Sequence, residues 1–585
     1  MVYAWGVGRM QLHLYYGPGV RSMSRSWTAW WSGAWDPAAT TTFDKLPGTF
    51  WLQALSARVF GFTPWAVLLP SLIASVAAIA MLYVLVSRWL GPGTGVLAAV
   101  FFATTPLVAA LARTQIPDPV LIALLLGAAL TWQQATRTAR TSPLLWTAVI
   151  VGAAFQVKMA QAWLVWVPFA LAYLVYAPTS LARRAWQLAL AGLVTVAVSL
   201  SWMVGFTLVP AASRPYVDGS VDNSIWSMVF GYNGFNRYGV DNTGAQMFGI
   251  GGPPGKAEGP AWLYLLRDGV APQIGWLYLF ALAGVAAAAV QLVRRRDSAP
   301  ATAAMYLMWP VWTAVHAVAF AGSVKAHSFY NLALVPAVAA LAAAGAHQLR
   351  AAYHRPGWQR WLLPSVVAAS AWWAWELSGR FAFAPWLPAA ALGSGLGAAA
   401  VLAAVNLVRA GGPTRAVAFG LAVVALAVAP ATWALSVTGK TSVSDAHRPA
   451  GGPASREVAS VLSGRMLRLL PAAQVEAITA FLDAHRGGEQ FQVAVPWAPQ
   501  AGQFLLRDVA VLPVGGFTAQ APTVTPQRLD ELVTTGALRF ALVDGPQTQG
   551  RPTVDYPLYA QWAAASCRPV PGYTQPLYVL YDCRR

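Results

Sequence analysis

The chain has 585 residues, 57% of them hydrophobic and only 10% charged, and its mean hydropathy is positive. That composition excludes a soluble globular protein and requires an integral membrane protein. The formal net charge of +18 would suggest nucleic acid in a soluble chain. Here the arginines fall in short gaps between apolar runs, the pattern of membrane topology, so nucleic acid is not expected as a partner.

Residues 1–48 contain neither a spanning run, which needs about 20 apolar residues, nor a signal-peptide pattern. The segment is rich in amphipathic aromatics, Tyr15, Tyr16, Trp27, Trp30, Trp31 and Trp35, which suit a headgroup-level layer. Its stretch W-D-P-A-A-T-T-T-F-D-K-L-P (35–47) sets two carboxylates, Asp36 and Asp44, and a cation, Lys45, just ahead of the first long apolar run. In a chain this poor in charge, the stretch reads as the catalytic lip of a membrane enzyme. The run 49–62 is too short to span and alternates like an interfacial helix.

About twelve spans follow by hydropathy, at 66–89, 94–112, 118–135, 143–158, 161–178, 186–208, 274–293, 302–321, 328–347, 361–378, 385–408 and 415–438. One set of alternate loops holds Arg88, Arg137, Arg140, Arg183, Arg184, Arg294, Arg295, Arg296, Arg350, Arg355, Arg360, Arg409 and Arg415. The other set of short loops holds only Arg113, Lys158, Lys325 and Arg380. The first set is expected in the cytoplasm. An even span count then puts the N-terminal segment, the long loop 209–273 and everything after about 439 outside the cell.

Three regions are therefore expected: 1–62, an extracytoplasmic catalytic loop with its interfacial helix; 63–438, the transmembrane domain; and 439–585, a soluble extracytoplasmic α/β domain. The last opens with a polar linker, Lys440 to Pro453, and a helix around 455–484. It continues with F-Q-V-A-V-P (491–496), a helical stretch near 500–507, V-A-V-L-P-V (509–514), a helix from Pro526 to about Thr535 capped by Thr525, and L-R-F-A-L-V-D (538–544). Thr followed by Pro is a helix-start signal, and short apolar strands alternating with helices indicate a small α/β unit. Cys567 and Cys583 could close a hairpin as a disulfide in an oxidising compartment, or could remain two thiols.

Several ionisable groups are candidates for chemistry. Asp36 and Asp44 could reach one site as base and orienter or as metal ligands; an Asp-Pro turn and a local Asp44 to Lys45 ion pair are the bland readings. Arg113 and Asp118 sit in R-T-Q-I-P-D-P at a membrane boundary, where ionisable groups are functional candidates, although Asp before Pro is also an ordinary cap. Lys158, in F-Q-V-K-M-A-Q, could snorkel or hold a phosphate. G-Y-N-G-F-N-R-Y-G (231–239) and L-L-R-D-G-V-A-P-Q-I-G-W (265–276) look like shaped binding loops and supply Tyr232, Asn233, Arg237, Arg267 and Gln273. K-A-H-S-F-Y (325–330) adds His327 and Tyr330. The 439–585 domain shows no Gly-rich phosphate loop and no metal-ligand spacing; no cofactor is assigned, and a divalent cation on Asp36, Asp44 or His327 stays open.

These motifs, in this order, resemble the bacterial branch of glycosyltransferase family 39, the protein-mannosyltransferase-like and aminoarabinose-transferase-like enzymes of the GT-C fold. The resemblance covers essentially the whole chain and includes V-R-S-M-S-R-S-W (20–27), Y-N-G-F (232–235) and V-G-G-F (514–517). It implies an inverting transfer of a mannose-like sugar or pentose from a polyprenyl-phosphate donor to a glycan, lipid or protein acceptor of the cell envelope. It also implies a place in the bacterial cytoplasmic membrane. By the same resemblance, Asp44 and Lys45 match an acidic-Lys-Pro motif whose lysine contacts the lipid phosphate. Lys158 matches a second phosphate-binding lysine, and Asp118 the acidic residue of the second outer loop.

Two departures are visible. The motif continues Leu46-Pro47 where relatives have Pro-Pro, and H-L-Y-Y (13–16) stands where relatives carry an acidic pair after an initial span. The alternatives from other classes are an inactive scaffold homologue and a lipid or solute transporter. The latter would place ionisable groups near the membrane midplane.

Overall fold

The computed structural model describes residues 2–238, 260–294, 299–323, 327–441, 450–453, 469–517, 521–546 and 556–584. Lys325, Arg295, Arg296 and the 455–468 part of the helix expected at 455–484 lie outside them.

The first elements are two short helices, α1 (Tyr16–Arg25) and α2 (Trp27–Ser32), then α3 (Gly48–Phe60). The bundle begins with α4 (Pro64–Leu90), α5 (Pro92–Ala103), α6 (Pro106–Leu111), α7 (Asp118–Thr138), α8 (Thr141–Lys158), α9 (Trp166–Tyr176) and α10 (Leu181–Leu208). It ends with α11 (Tyr278–Arg294), α12 (Pro300–Gly322), α13 (Val335–Tyr353), α14 (Leu362–Gly379), α15 (Leu387–Leu407) and α16 (Gly412–Leu435). Pro64, Pro92, Pro106, Pro119, Pro300, Pro336, Pro388 and Pro413 all stand in a first turn, where the missing N–H has no intrahelical partner to lose.

Among the described residues, eight segments are long and apolar enough to cross a membrane, where the hydropathy reading expects about twelve. The run 94–112 breaks at Thr104 and Thr105 ahead of Pro106, leaving two short helices. The run 274–293 begins only at Tyr278, and α14 carries Glu376 within 18 residues. The runs 143–158 and 161–178 join into one helical segment, Thr141–Tyr176.

That joined segment nevertheless reverses direction at Met159, whose φ is 52°. Helix α10 records both passes. Gln187 meets Thr141 (2.9 Å) and Tyr173 (2.7 Å), whereas Ser199 meets Gln156 (2.6 Å) and Trp163 (3.0 Å). The chain therefore climbs along α10 in α8 and descends along it in α9. At the centre lies the segment Ser328–Tyr353, whose Ala-rich sequence lets neighbours approach closely; 94% of its apolar window is buried, and α11 and α5 pack on it.

The C-terminal unit forms a five-stranded sheet with β1 (Phe491–Val495), β2 (Val511–Pro513), β3 (Leu538–Asp544), β4 (Arg568–Thr574) and β5 (Tyr578–Asp582), in spatial order β2-β1-β3-β5-β4. The pairs of β1 with β2 and β3 are parallel, and those of β5 with β3 and β4 antiparallel. Its helices are α17 (Ala472–Ala484), α18 (Ala498–Leu505), α19 (Pro526–Thr534) and α20 (Tyr556–Ser566). Thr525 caps α19 by accepting from the Arg528 N–H. Cys567 and Cys583 are joined as a disulfide, which staples the outer hairpin of the sheet.

Helix α1 is clamped between this unit and the bundle. It packs on α3 and on α18, and Arg21 donates to the Leu505 carbonyl (2.7 Å) and pairs with Asp508 (3.0 Å). The run expected at 49–62 is a helix; it buries Phe50, Gln53, Ala54 and Ala57 and exposes Leu52, Val59 and Phe60. The N-terminal segment, the 209–238 loop and the sheet unit therefore meet at one end of the bundle, the end without the arginine-rich loops.

Candidate active site

The lip between Gly33 and Pro47 is folded by its own polar side chains. Asp36 is fully buried, and its Oδ1 accepts from the Thr40 N–H (3.0 Å), the Thr40 hydroxyl (2.8 Å) and the Thr41 N–H (3.0 Å). With the turn held, Ala34 bridges Thr42 and Thr41 bridges Tyr216 of the long loop. Burial pushes the Asp36 carboxyl up, while the donors from Thr41 and Thr40 hold it down. Of the two carboxylates expected to serve the chemistry, the structure thus places Asp36 in the turn that shapes the loop, with both oxygens hydrogen-bonded to Thr40.

The same folding delivers Asp44 and Lys45. The Asp44 backbone N–H donates to the Tyr15 hydroxyl (3.0 Å) and its carbonyl accepts from the Asn233 amide (2.8 Å), so the residue is fixed from two sides. Lys45 Nζ lies 2.9 Å from Oδ1 and 2.8 Å from Oδ2 of Asp44, and the Tyr232 hydroxyl donates to Oδ2 (3.2 Å). Burial pulls the Lys45 ammonium down, but the Asp44 charge, then Tyr16 and Tyr232, outweigh it and raise the group above its ordinary value. Lys45 is a fixed cation, 16% exposed.

Gly48 brings this corner onto the end of α8, because a Cβ there would lie 2.5 Å from the Gln156 carbonyl oxygen. Lys158, the last residue of α8, donates to Oδ1 of Asp118, the first residue of α7. Its ammonium sits 4.2 Å from the Tyr330 ring centroid and 4.9 Å from that of Phe329, and His327 stacks on Phe329 at 4.9 Å. Among the described residues, Asp118 Oδ2 is buried with no hydrogen-bond partner. Arg237 lies over the Tyr232 ring at 5.2 Å. Lys45 and Arg237 both act electrostatically on Lys158, and Arg237 also feels Tyr330, Asp44 and Tyr16.

Asp44, Lys45, Asp118, Lys158, Tyr232, Asn233, Arg237, His327 and Tyr330 are therefore gathered at one place. Lys45, Lys158 and Arg237 converge there among tyrosines, a cluster of cations that suits a phosphate anion. The charges lie at helix ends, away from the midplane placement a transporter would need.

The remaining candidates lie elsewhere. Arg113 donates to the backbone carbonyls of Trp5 and Tyr3 and so ties down the N-terminal segment. Gln273 exchanges two 2.9 Å hydrogen bonds with Gly451, and Arg267 lies over Tyr264 at 5.4 Å. Among the described residues, no three His, Cys, Asp or Glu side chains gather as a metal cluster; of the three groups considered as cation ligands, Asp36 is hydrogen-bonded in its turn, Asp44 pairs with Lys45 and the His327 ring stacks on Phe329.

Sequence reasoning missed Asp218, Tyr15 and Tyr16 as site residues. Tyr15 bridges Asp44 to Asp218, donating to Oδ2 of the latter at 2.8 Å, and the Tyr16 ring lies 5.4 Å from Lys45 Nζ. Burial, then the charge of Asp44, pushes the Asp218 carboxyl up to about 7. The only sequence signal for it is an Asp-Gly turn in the long loop.

The chain is similar to several known proteins. Residues 44–202 match the family described as dolichyl-phosphate-mannose-protein mannosyltransferase, and residues 478–565 match "Putative mannosyltransferase YkcB-like, C-terminal". "Putative mannosyltransferase YkcB" of Bacillus subtilis (strain 168) is 27% identical, over 91% of this chain and 85% of the relative. "Putative mannosyltransferase YycA" of the same organism is 26% identical, over 90% and 87%. Among solved structures, ArnT from Cupriavidus metallidurans bound to undecaprenyl phosphate has a TM-score of 0.56 at 16% identity, covering 100% of this chain and 96% of that one. Its apo state has a TM-score of 0.53 at 18% identity.

Proposed function

Taking as premise that the chain is a membrane glycosyltransferase of the GT-C type, we propose that it moves a mannose-like sugar or a pentose from a polyprenyl-phosphate donor to an acceptor outside the bacterial cytoplasmic membrane. The C-terminal unit then lies outside with the site, since the arginine-rich helix ends belong in the cytoplasm. The observation that carries the reading is the convergence of Lys45, Lys158 and Arg237 at the arginine-poor end of the bundle. A similar fold, that of ArnT, has been solved with undecaprenyl phosphate bound.

In this reading an acceptor hydroxyl oxygen attacks the anomeric carbon, the carbon–oxygen bond to phosphate breaks, and the electron pair leaves with the polyprenyl phosphate. The three cations stabilise the charge that builds on the leaving phosphate. The two carboxylates divide the work. Asp44, with both oxygens on Lys45, orients that lysine, while the unpartnered Oδ2 of Asp118 is the lone pair that takes the acceptor proton.

The test is release of free polyprenyl phosphate from mannose- and arabinose-linked donors by purified protein, with and without a chelator, for wild type, Lys45→Ala, Asp118→Asn and Asp44→Asn. Release by wild type and its loss in all three variants is expected. No release from any donor by folded wild type would instead favour an inactive scaffold.

A further inference from the structure

The soluble unit reaches into the site through one short turn. In Gly515-Gly516-Phe517, the Phe517 N–H donates to Asp218 Oδ2 at 2.8 Å. The Gly516 backbone adopts φ 64°, and a Cβ there would lie 2.4 Å from Asp218 Oδ1, so the turn can seat on the carboxylate only because it lacks a side chain. On its other side the turn is fastened to its own unit: Trp497 Nε1 donates to the Phe517 carbonyl (2.8 Å) and the Ala498 N–H to the Gly516 carbonyl (3.0 Å). Its orientation is therefore set from both directions.

What the turn delivers is a ring. Phe517 packs on Tyr15 with centroids 4.5 Å apart and lies 5.8 Å from Lys45 Nζ, with Tyr16 at 5.4 Å as a second ring around the same ammonium. Among the described residues Asp218 touches no cation; it accepts from Tyr15, Gly219 and Phe517.

We infer that the soluble unit completes the donor site, with Asp218 as a positioning residue that seats Phe517 against Lys45 and so fixes that ammonium for the donor phosphate. The inference rests on the donor reading above. An aromatic face beside the cation excludes water and limits the directions in which the ammonium can point. Asp218 acts only through the turn and through Tyr15. The soluble unit thereby serves as a wall of the active site.

The test uses the full chain in detergent with the donor that wild type turns over, comparing Phe517→Ala, Phe517→Tyr, Asp218→Ala, the double alanine variant and Lys45→Ala. Folding is checked by size exclusion and thermal melting. For Phe517→Ala the donor KM is expected to rise about tenfold, with kcat within about threefold of wild type. Asp218→Ala is expected to show the same split, the double variant no larger effect than either single, and Phe517→Tyr near-normal KM.

An unchanged donor KM in Phe517→Ala overturns the inference, as does a fall in kcat alone that Phe517→Tyr fails to rescue. Lys45→Ala separates the two levels. Lost turnover there beside an unchanged Phe517→Ala removes only the inference, whereas full turnover in Lys45→Ala removes the donor reading and the inference with it.

Discussion

Asp36 and Asp44 stand on the same lip and both are fully buried, yet they are used in opposite ways. The half of the lip around Asp36 is closed on itself: the carboxylate takes donors from Thr40 and Thr41, residues of its own turn. The half around Asp44 is open to the rest of the protein, with partners from the N-terminal segment (Tyr15), the long loop (Tyr232, Asn233) and the adjacent lysine. A buried carboxylate satisfied by neutral N–H and O–H groups makes a shape; one satisfied by a cation makes a field that a substrate can join.

The largest expected effect breaks the second half. Lys45→Ala should lower transfer by a factor of about 100 or more, and it should also cost about 3–5 kcal/mol of stability by leaving Asp44 buried without its cation. The double variant Asp44→Asn/Lys45→Met should recover the melting temperature and none of the transfer. Recovery of both would make the pair a structural element like Asp36.

Asp36→Ala should act the other way round. Orphaning the Thr40 and Thr41 donors costs about 3–5 kcal/mol, read as a lower melting temperature, while molecules that remain folded keep most of their turnover. A loss of turnover as deep as that of Lys45→Ala, with unchanged melting, would put Asp36 back in the chemistry.

A smaller effect sharpens the comparison through Asp218, whose ordinary value is 3.8 and which burial and then Asp44 push up to about 7. The folded chain holds that proton where the unfolded chain has released it. The stability it contributes is therefore present below about pH 4 and is lost as the pH rises through about 7. Melting in detergent should fall over this interval by an amount equivalent to roughly 2–4 kcal/mol, and Asp218→Asn should flatten that part of the profile. An identical profile in the variant would assign the pH dependence to other groups.

The least effect on transfer is expected from the staple. Cys567 and Cys583 close a loop with a sequence separation of 16, for which chain entropy gives about 3 kcal/mol. Cys567→Ser/Cys583→Ser should lower the melting temperature and leave donor turnover near normal, because the bridge sits on the β4–β5 hairpin, whereas the Gly515-Gly516-Phe517 turn leaves the sheet after β2.

Strands β1 to β3 and helix α19 were legible because their apolar runs are short, bounded and preceded by a cap such as Thr525. The strand Arg568–Thr574 was not, since R-P-V-P-G-Y-T carries two prolines and alternates weakly; its place at the sheet edge is what tolerates them. Hydropathy places about twelve apolar runs where eight segments meet the length criterion: it does not see that Pro106 breaks the run 94–112, whereas the runs 143–158 and 161–178 that it separates are the two passes on either side of Met159.

By itself the sequence determined that the chain is a polytopic membrane protein with a separate C-terminal unit of strands and helices, and it marked Asp44, Lys45, Asp118 and Lys158 by the scarcity of charge around them. Apolar content and charge placement are local properties that a bilayer reads directly. Only the tertiary structure decided which charges share a site. It gathered Arg237, Tyr330 and Lys158 from three distant segments, sent Arg113 and Gln273 to fasten the chain, kept Asp36 in its own turn, and brought Asp218, Tyr15 and Phe517 together across 502 residues (517 − 15). Such convergence depends on how helices and loops pack, which no spacing along the chain encodes.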